Sequence, residues 1–182
     1  MKFYTTSLPD VLLIKPAVFF DDRGHFFESF NAETWKKEGF KNQFVQDNQS
    51  FSKKGVVRGL HFQAAPFAQG KLVRVISGKV LDIALDLRPE SPTFGKYELF
   101  ELDAENGNMV YIPEGFAHGF AALEDSVFHY KCTGSYNKAS EGGLRWNDPY
   151  LNIQWGIENP IVSEKDQILP TFLELFKESL KA

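Results

Sequence analysis

Two short segments centred on histidine hold the side chains best suited to acid–base work in this chain: Gly59-Leu60-His61-Phe62-Gln63 and Pro113-Glu114-Gly115-Phe116-Ala117-His118. An imidazole titrates near neutrality, so it can take a proton from an acidified C–H and return it without a cofactor. Lys71 opens an apolar run, and its ammonium is either a solvated strand-end charge or an inward donor for a developing oxyanion. Tyr130 is either an ordinary strand aromatic or a phenol that gives up a proton, with an unperturbed pKa of about 10. Tyr136 is the rival for that role. Asp166 ends Ser163-Glu164-Lys165-Asp166, the spacing of a capping box at a helix start. A buried carboxylate can instead hold the tautomer of a histidine. Arg23 and Arg58 carry guanidinium forks that match phosphate oxygens. Cys132 is the only cysteine, which excludes an internal disulfide and a cysteine-cluster metal site and reads as buried filler.

These groups need strands to position them. From Val11 to about Thr133 short β-type runs alternate with turn signals, the pattern of an antiparallel sandwich or barrel. Over Val80 to Leu87 one face, Leu81, Ile83, Leu85 and Leu87, is apolar, while the other carries Asp82 and Asp86. The run from Lys71 to Ile76 ends at Ser77-Gly78, which reads as a hairpin turn into Lys79-Val80. Further strands are expected over 11–18, 25–30, 43–47, 56–63, 97–102, 109–112, 119–122 and 127–132. Arg58 and His61 have opposite parity on a regular strand, and Gly59 between them is a place for a bulge that turns both inward. Helix is expected only at the edges. Asn31 to Glu38 has an N-cap and closes at Gly39, and Thr171 to Leu180 places Phe172, Leu175, Phe176 and Leu180 on one stripe that should dock on the body.

Pro113-x-Gly115-x-x-His118 resembles the second half-motif of the cupin sandwiches. The first half-motif has glutamine, Gln63, where a second metal-binding histidine would stand, so a bound transition metal would need further, unpredicted donors. The likeness extends to eight segments in order. They are Arg23-Gly24 with Phe26-Phe27-Glu28-Ser29; Phe44-Val45-Gln46-Asp47-Asn48; Val57-Arg58-Gly59-Leu60-His61-Phe62-Gln63; Gln69-Gly70-Lys71-Leu72-Val73-Arg74; Glu90-Ser91-Pro92-Thr93-Phe94-Gly95; Ile112–Phe120; Trp146-Asn147-Asp148-Pro149; and Ser163-Glu164-Lys165-Asp166. Together they resemble the dTDP-4-dehydrorhamnose 3,5-epimerase family over nearly the whole chain.

That resemblance implies a mainly β fold, a cupin-type jelly-roll sandwich with short peripheral helices and a C-terminal helix. It implies inversion at C3 and C5 of a thymidine-diphosphate-linked 4-keto-6-deoxyhexose, where the ketone acidifies both neighbouring C–H bonds. It further implies His61 and Asp166 as base and orienter, Lys71 as enolate donor and Tyr130 as acid. Arg23, Phe26, Glu28, Gln46, Asn48, Arg58, His118, Tyr136, Lys165 and Phe19 would bind substrate. No cofactor or metal is implied. The family's homodimers share a sheet and an N-terminal strand, so Phe26 and Glu28 are expected to serve the neighbouring subunit's site.

Composition bounds the alternatives. A length of 182 residues without a linker-like segment reads as one domain over 1–182, and eighteen phenylalanines favour a β-rich fold and a site that stacks a flat ring. A net charge of −4 offers no general attraction to nucleic acid or anionic lipid. With no signal-like apolar stretch near Met1, a soluble, cytoplasmic protein is expected. A C3-only epimerase and a non-catalytic sugar-nucleotide-binding cupin stay open as alternatives. A metal-dependent cupin is disfavoured by Gln63.

Overall fold

The computed structural model describes residues 1–41 and 43–177. In chain order its strands are β1 (Lys2–Thr5), β2 (Leu12–Lys15), β3 (Phe19–Asp21), β4 (Gly24–Phe26), β5 (Gln46–Ser52), β6 (Val56–Gln63) and β7 (Lys71–Ser77). There follow β8 (Lys79–Asp86), β9 (Tyr97–Asp103), β10 (Met109–Ile112), β11 (Phe116–Ala122), β12 (Ser126–Cys132), β13 (Glu141–Gly143) and β14 (Ile161–Val162). The helices are α1 (Ala32–Lys37), α2 (Glu164–Gln167) and α3 (Phe172–Leu175). Two sheets dominate, ordered β1-β2-β10-β7-β12-β5 and β13-β6-β11-β8-β9, while β3 and β4 pair only with each other. This is the cupin-like β fold expected from the half-motif.

Both faces of both sheets are used. Val73, Val75, Val110, Ile112 and Phe128 of the first sheet meet Val80, Phe100, Leu102, Phe116 and Phe120 of the second to form the inner core. Strand β8 is covered on both sides. Its Ile83 and Leu85 face outward into a second cluster with Leu144, Leu151, Trp155 and Phe172, while Val80 and Ala84 face inward. The outer face of the first sheet is covered by Trp35 of α1 with Phe30, Phe40 and Phe44.

Five expectations are corrected. Ser77-Gly78 is no hairpin turn, because β7 pairs with β10 and β12 whereas β8 pairs with β9 and β11. Gly78, at φ +81°, passes the chain from one sheet to the other, so that each strand lies between two partners of its own sheet. The strand expected over 43–47 runs instead from Gln46 to Ser52, since its inward positions Gln46, Asn48, Ser50 and Ser52 are polar and give no apolar alternation. Those expected over 11–18 and 25–30 shorten to Leu12–Lys15 and Gly24–Phe26, because Phe30 leaves the ribbon to pack on Trp35. In the C-terminal stripe Phe172 and Phe176 dock, Leu175 stays exposed, and Leu180 lies outside the described residues. Among the described residues no helix is long and apolar enough to cross a membrane.

Candidate active site

Rungs of the first sheet change character as they cross it. One runs Ile112, Lys71, Cys132, Gln46 and the next Val110, Val73, Tyr130, Asn48. The apolar ends enter the inner core, and the polar ends line a cleft between β5 and β12 on one side and β6 and β13 on the other. The cleft has two lobes, of about 310 Å³ and about 500 Å³, and His61, Lys71 and Tyr130 line both. Gln46, Asn48 and Tyr136 line the smaller lobe, while Arg58, His118, Lys165 and Asp166 line the larger.

The bulge expected at Gly59 is present. His118 pairs with His61 and Phe120 with Arg58, so Gly59 and Leu60 together oppose Gly119. Gly59 sits at φ +124°, and a Cβ there would meet the Gly119 backbone at 2.6 Å. The extra residue turns Arg58 and His61 into the same lobe. Asp166 keeps one half of the capping-box arrangement and gives its carboxylate to the cleft. Ser163 Oγ accepts from the Asp166 backbone N–H at 3.1 Å, capping α2, while the Asp166 carboxylate turns inward. Asp166 Oδ1 lies 2.7 Å from His61 Nε2, and Asp166 Oδ2 accepts from Gly59 N at 3.3 Å. Burial alone would raise this carboxyl's pKa, but the hydrogen bonds from His61, Gly59 and Ser163 outweigh it and hold the pKa below its usual value. An ionised Asp166 accepts from Nε2–H, which leaves Nδ1 of His61 as the free basic nitrogen.

At the floor of the cleft His118 Nε2 lies 2.7 Å from Asp82 Oδ2, and both residues are buried. Burial lowers the pKa of His118 against the pull of Asp82, so the ring is neutral. The Lys71 ammonium sits 6.0 Å from the centre of the Tyr130 ring. Burial pulls its pKa down, opposed by Cys132, Asp82 and Glu141. Burial pushes the Tyr130 phenol up, which keeps it protonated at neutral pH. Gln63 is committed to the scaffold: its amide nitrogen donates to Phe67 O at 2.6 Å and its oxygen accepts from Asn137 N at 2.7 Å. Cys132 is buried as expected and touches Asn48 Nδ2 at 3.5 Å.

Not every predicted residue is brought here. Arg23 is ion-paired to Asp21 at 2.6 Å on the exposed β3–β4 ribbon, where Phe19 and Phe26 are 65% and 70% exposed. Glu28 is exposed beyond that ribbon and accepts from Asn31 Nδ2. These four stand outside this chain's own cleft. Two residues were missed by sequence reasoning. Glu141 accepts from Tyr136 Oη at 3.1 Å and pairs with Lys165 Nζ at 2.7 Å, and Lys165 above all lowers its pKa. Nothing in the run around Glu141 sets it apart. Asp82 did carry a signal, a carboxylate in the middle of an apolar strand.

A half-open β-sandwich whose cleft gathers a histidine paired to a carboxylate, a lysine and a tyrosine has the groups that acid–base chemistry on a cupin-like fold needs. Residues 5–174 match the family model described as dTDP-4-dehydrorhamnose 3,5-epimerase. The chain belongs to that family. It is 51% identical over 168 residues, 91% of this chain and 93% of the relative, to the dTDP-4-dehydrorhamnose 3,5-epimerase of Shigella flexneri. The crystal structure of the enzyme of that name from Elizabethkingia anophelis superposes with a TM-score of 0.90 at 48% identity, covering 96% of this chain and 97% of the other. The dTDP-6-deoxy-D-glucose-3,5-epimerase of Legionella pneumophila, solved in complex with dTDP-4-keto-L-rhamnose, gives 0.92 at 41% identity, covering 98% and 96%.

Proposed function

We propose that this chain inverts C3 and C5 of dTDP-4-dehydro-6-deoxy-D-glucose to give dTDP-4-dehydro-L-rhamnose, in the cytoplasm, with residues 1–182 acting as one domain. The observation that carries the reading is His61 held 2.7 Å from the buried Asp166 in a cleft that Lys71 and Tyr130 also line. In the proposed mechanism Nδ1 of His61 takes the proton from carbon, and Asp166 stabilises the imidazolium that forms. Lys71 donates to the enolate oxygen, where a cation in a partly desolvated cleft is worth more than in water. Tyr130 then delivers its proton to the opposite face and recovers one from solvent. Arg58 and Lys165 hold the diphosphate, His118 a sugar hydroxyl, and Gln46, Asn48 and Tyr136 the thymine.

The chain works as a homodimer in this reading. Three exposed phenylalanines, Phe19, Phe20 and Phe26, on a ribbon paired with neither main sheet support this, because exposed aromatics concentrated on one ribbon favour burial against a partner. Arg23, Phe19, Phe26 and Glu28 would then complete the neighbouring subunit's cleft.

Proton NMR of the 4-keto substrate in deuterium oxide tests the reaction. Exchange at both C3 and C5, with accumulation of the L-sugar, is expected. Exchange at C3 alone would assign a single epimerase, and exchange at neither would overturn the reading. With Tyr130→Phe, deuterium should enter faster than configuration inverts, since the base remains and the acid is gone.

A further inference from the structure

We propose that Gln63 is a positioning residue for nucleotide recognition: its amide pins the backbone on both sides of Tyr136 and so holds that ring over the smaller lobe of the cleft. The link to the nucleotide rests on the reading of Tyr136 as a thymine contact. Gln63 ends β6 two residues beyond His61, so the two side chains turn to the same face, and it is only 8% exposed. Its amide nitrogen donates to Phe67 O at 2.6 Å and to Ser135 O at 3.3 Å, and its oxygen accepts from Asn137 N at 2.7 Å. Two carbonyls before the nitrogen and an N–H before the oxygen permit a single orientation of the amide, and both of its donors are used.

Ser135 and Asn137 flank Tyr136, whose own N–H donates to Gln46 Oε1 at 2.9 Å. Two glutamines thus hold the backbone from 135 to 137. Little else does. Ser135 and Tyr136 are exposed, and the Tyr136 side chain, 55% exposed, has one hydrogen bond, from its hydroxyl to Glu141 at 3.1 Å. An exposed ring on a loose backbone samples many poses, and ordering it at the moment of binding would weaken the grip on the base. Gln63 orders the segment before the ligand arrives. The bond to Gln46 carries the effect along the cleft wall. With Gln46 Oε1 taken by Tyr136 N, Gln46 Nε2 donates to Asn48 Oδ1 at 3.0 Å, so the two amides lining the smaller lobe share one orientation. The ends of the segment are tied independently of Gln63: Gln69 Nε2 donates to Gly134 O at 2.6 Å and Ala64 N to Ser140 O at 2.8 Å. Loss of the Gln63 amide should therefore loosen 135–137 and leave the loop in place.

Amide exchange and binding measurements on the full-length protein test this. In the wild type, the N–H groups of Tyr136 and Asn137 should exchange at least about tenfold more slowly than in an unstructured peptide, although they lie on an exposed loop. In Gln63→Met, close in size but without the amide, Asn137 exchange should quicken and dTDP should bind about tenfold more weakly. KM should rise by a similar factor, with a smaller fall in kcat. In a Tyr136→Ala background the same substitution should weaken dTDP by less than about twofold, because the group it positions is gone. Gln63→Glu keeps the size and the acceptor but loses both donors, and it carries the same cycle should Gln63→Met not fold. Wild-type exchange at the unstructured rate, unchanged dTDP affinity in the Gln63 variant, or a loss that persists undiminished in Tyr136→Ala would each overturn the proposal. If Tyr136→Ala bound dTDP as the wild type does, the reading of Tyr136 as a thymine contact would fail, while amide exchange would still decide whether Gln63 holds the segment.

Discussion

The same rungs of the first sheet pass through Ile112 and Val110 on one side of the sandwich and end in Gln46 and Asn48 on the other. On the Ile112 side the facing strands β8 and β9 supply Val80, Phe100 and Leu102, and the space between the sheets is filled. On the Gln46 side the facing strands β6 and β13 supply Arg58, His61 and Glu141, and the space stays open. A jelly-roll interior that was apolar throughout would close. Here the gain from burying apolar surface is concentrated on one side, and that side holds the strands apart on the other, where desolvating the polar groups is costly. Residues on the open side should therefore govern rate, and residues on the closed side stability.

The largest effect that could break this comparison is in His61→Asn. Turnover should fall by about 10²–10⁴-fold, the span of a general-base contribution, with thermal stability and dTDP affinity nearly unchanged. An unfolded or nucleotide-blind variant would show that the open side also carries the fold. Leu102→Ala probes the converse. Leu102 is fully buried in the inner core, and its truncation should cost about 2–5 kcal/mol in urea unfolding while the folded fraction keeps wild-type kcat.

Asp86 sharpens the comparison, being a buried carboxylate that serves structure and no reaction. Its oxygens accept from Arg88, Ser91 and Thr93. Burial would raise its pKa, but these hydrogen bonds prevail and lower it. A depressed folded pKa gives stability that is present above the unfolded value of about 3.9 and is lost as pH falls through the lower folded one. Asp86→Asn should cost about 1–3 kcal/mol at pH 7, less near pH 3, and leave kcat unchanged. A cost that stayed constant with pH would deny the carboxylate this role. Chelation should have the smallest effect, none on turnover, because among the described residues no group of three or more His, Cys, Asp or Glu is placed to hold a metal ion, and the Gln63 oxygen is taken by Asn137 N. Activity lost on dialysis against a chelator and restored by one metal ion would refute that.

Much of this was legible in the residues. The β-rich pattern, the α1 cap at Asn31 and the Gly59 bulge could be read because each depends on local spacing or on side-chain type, whereas most groups that line the cleft were reached only through the family resemblance. The extent of β5 could not, since a strand that lines a cleft buries polar residues and breaks the alternation by which strands are recognised. Asp82 stood out as a carboxylate in an apolar strand, but its partner His118 lies 36 residues away, and the Lys165 that pairs with Glu141 lies 24 residues away.

Propensity, turn chemistry and periodicity act over a few residues, so the kinds of groups present and the segments that become strands follow from the amino-acid order alone. That Gly78 changes sheets instead of closing a hairpin, and that Asp166, in the first turn of a helix capped by Ser163, meets His61 across 105 residues, emerged only when the chain was folded. So did the placing of Phe19, Arg23 and Phe26 away from this chain's own cleft. Those outcomes depend on which surfaces can be buried together, a condition set by the whole chain and by no single stretch of it.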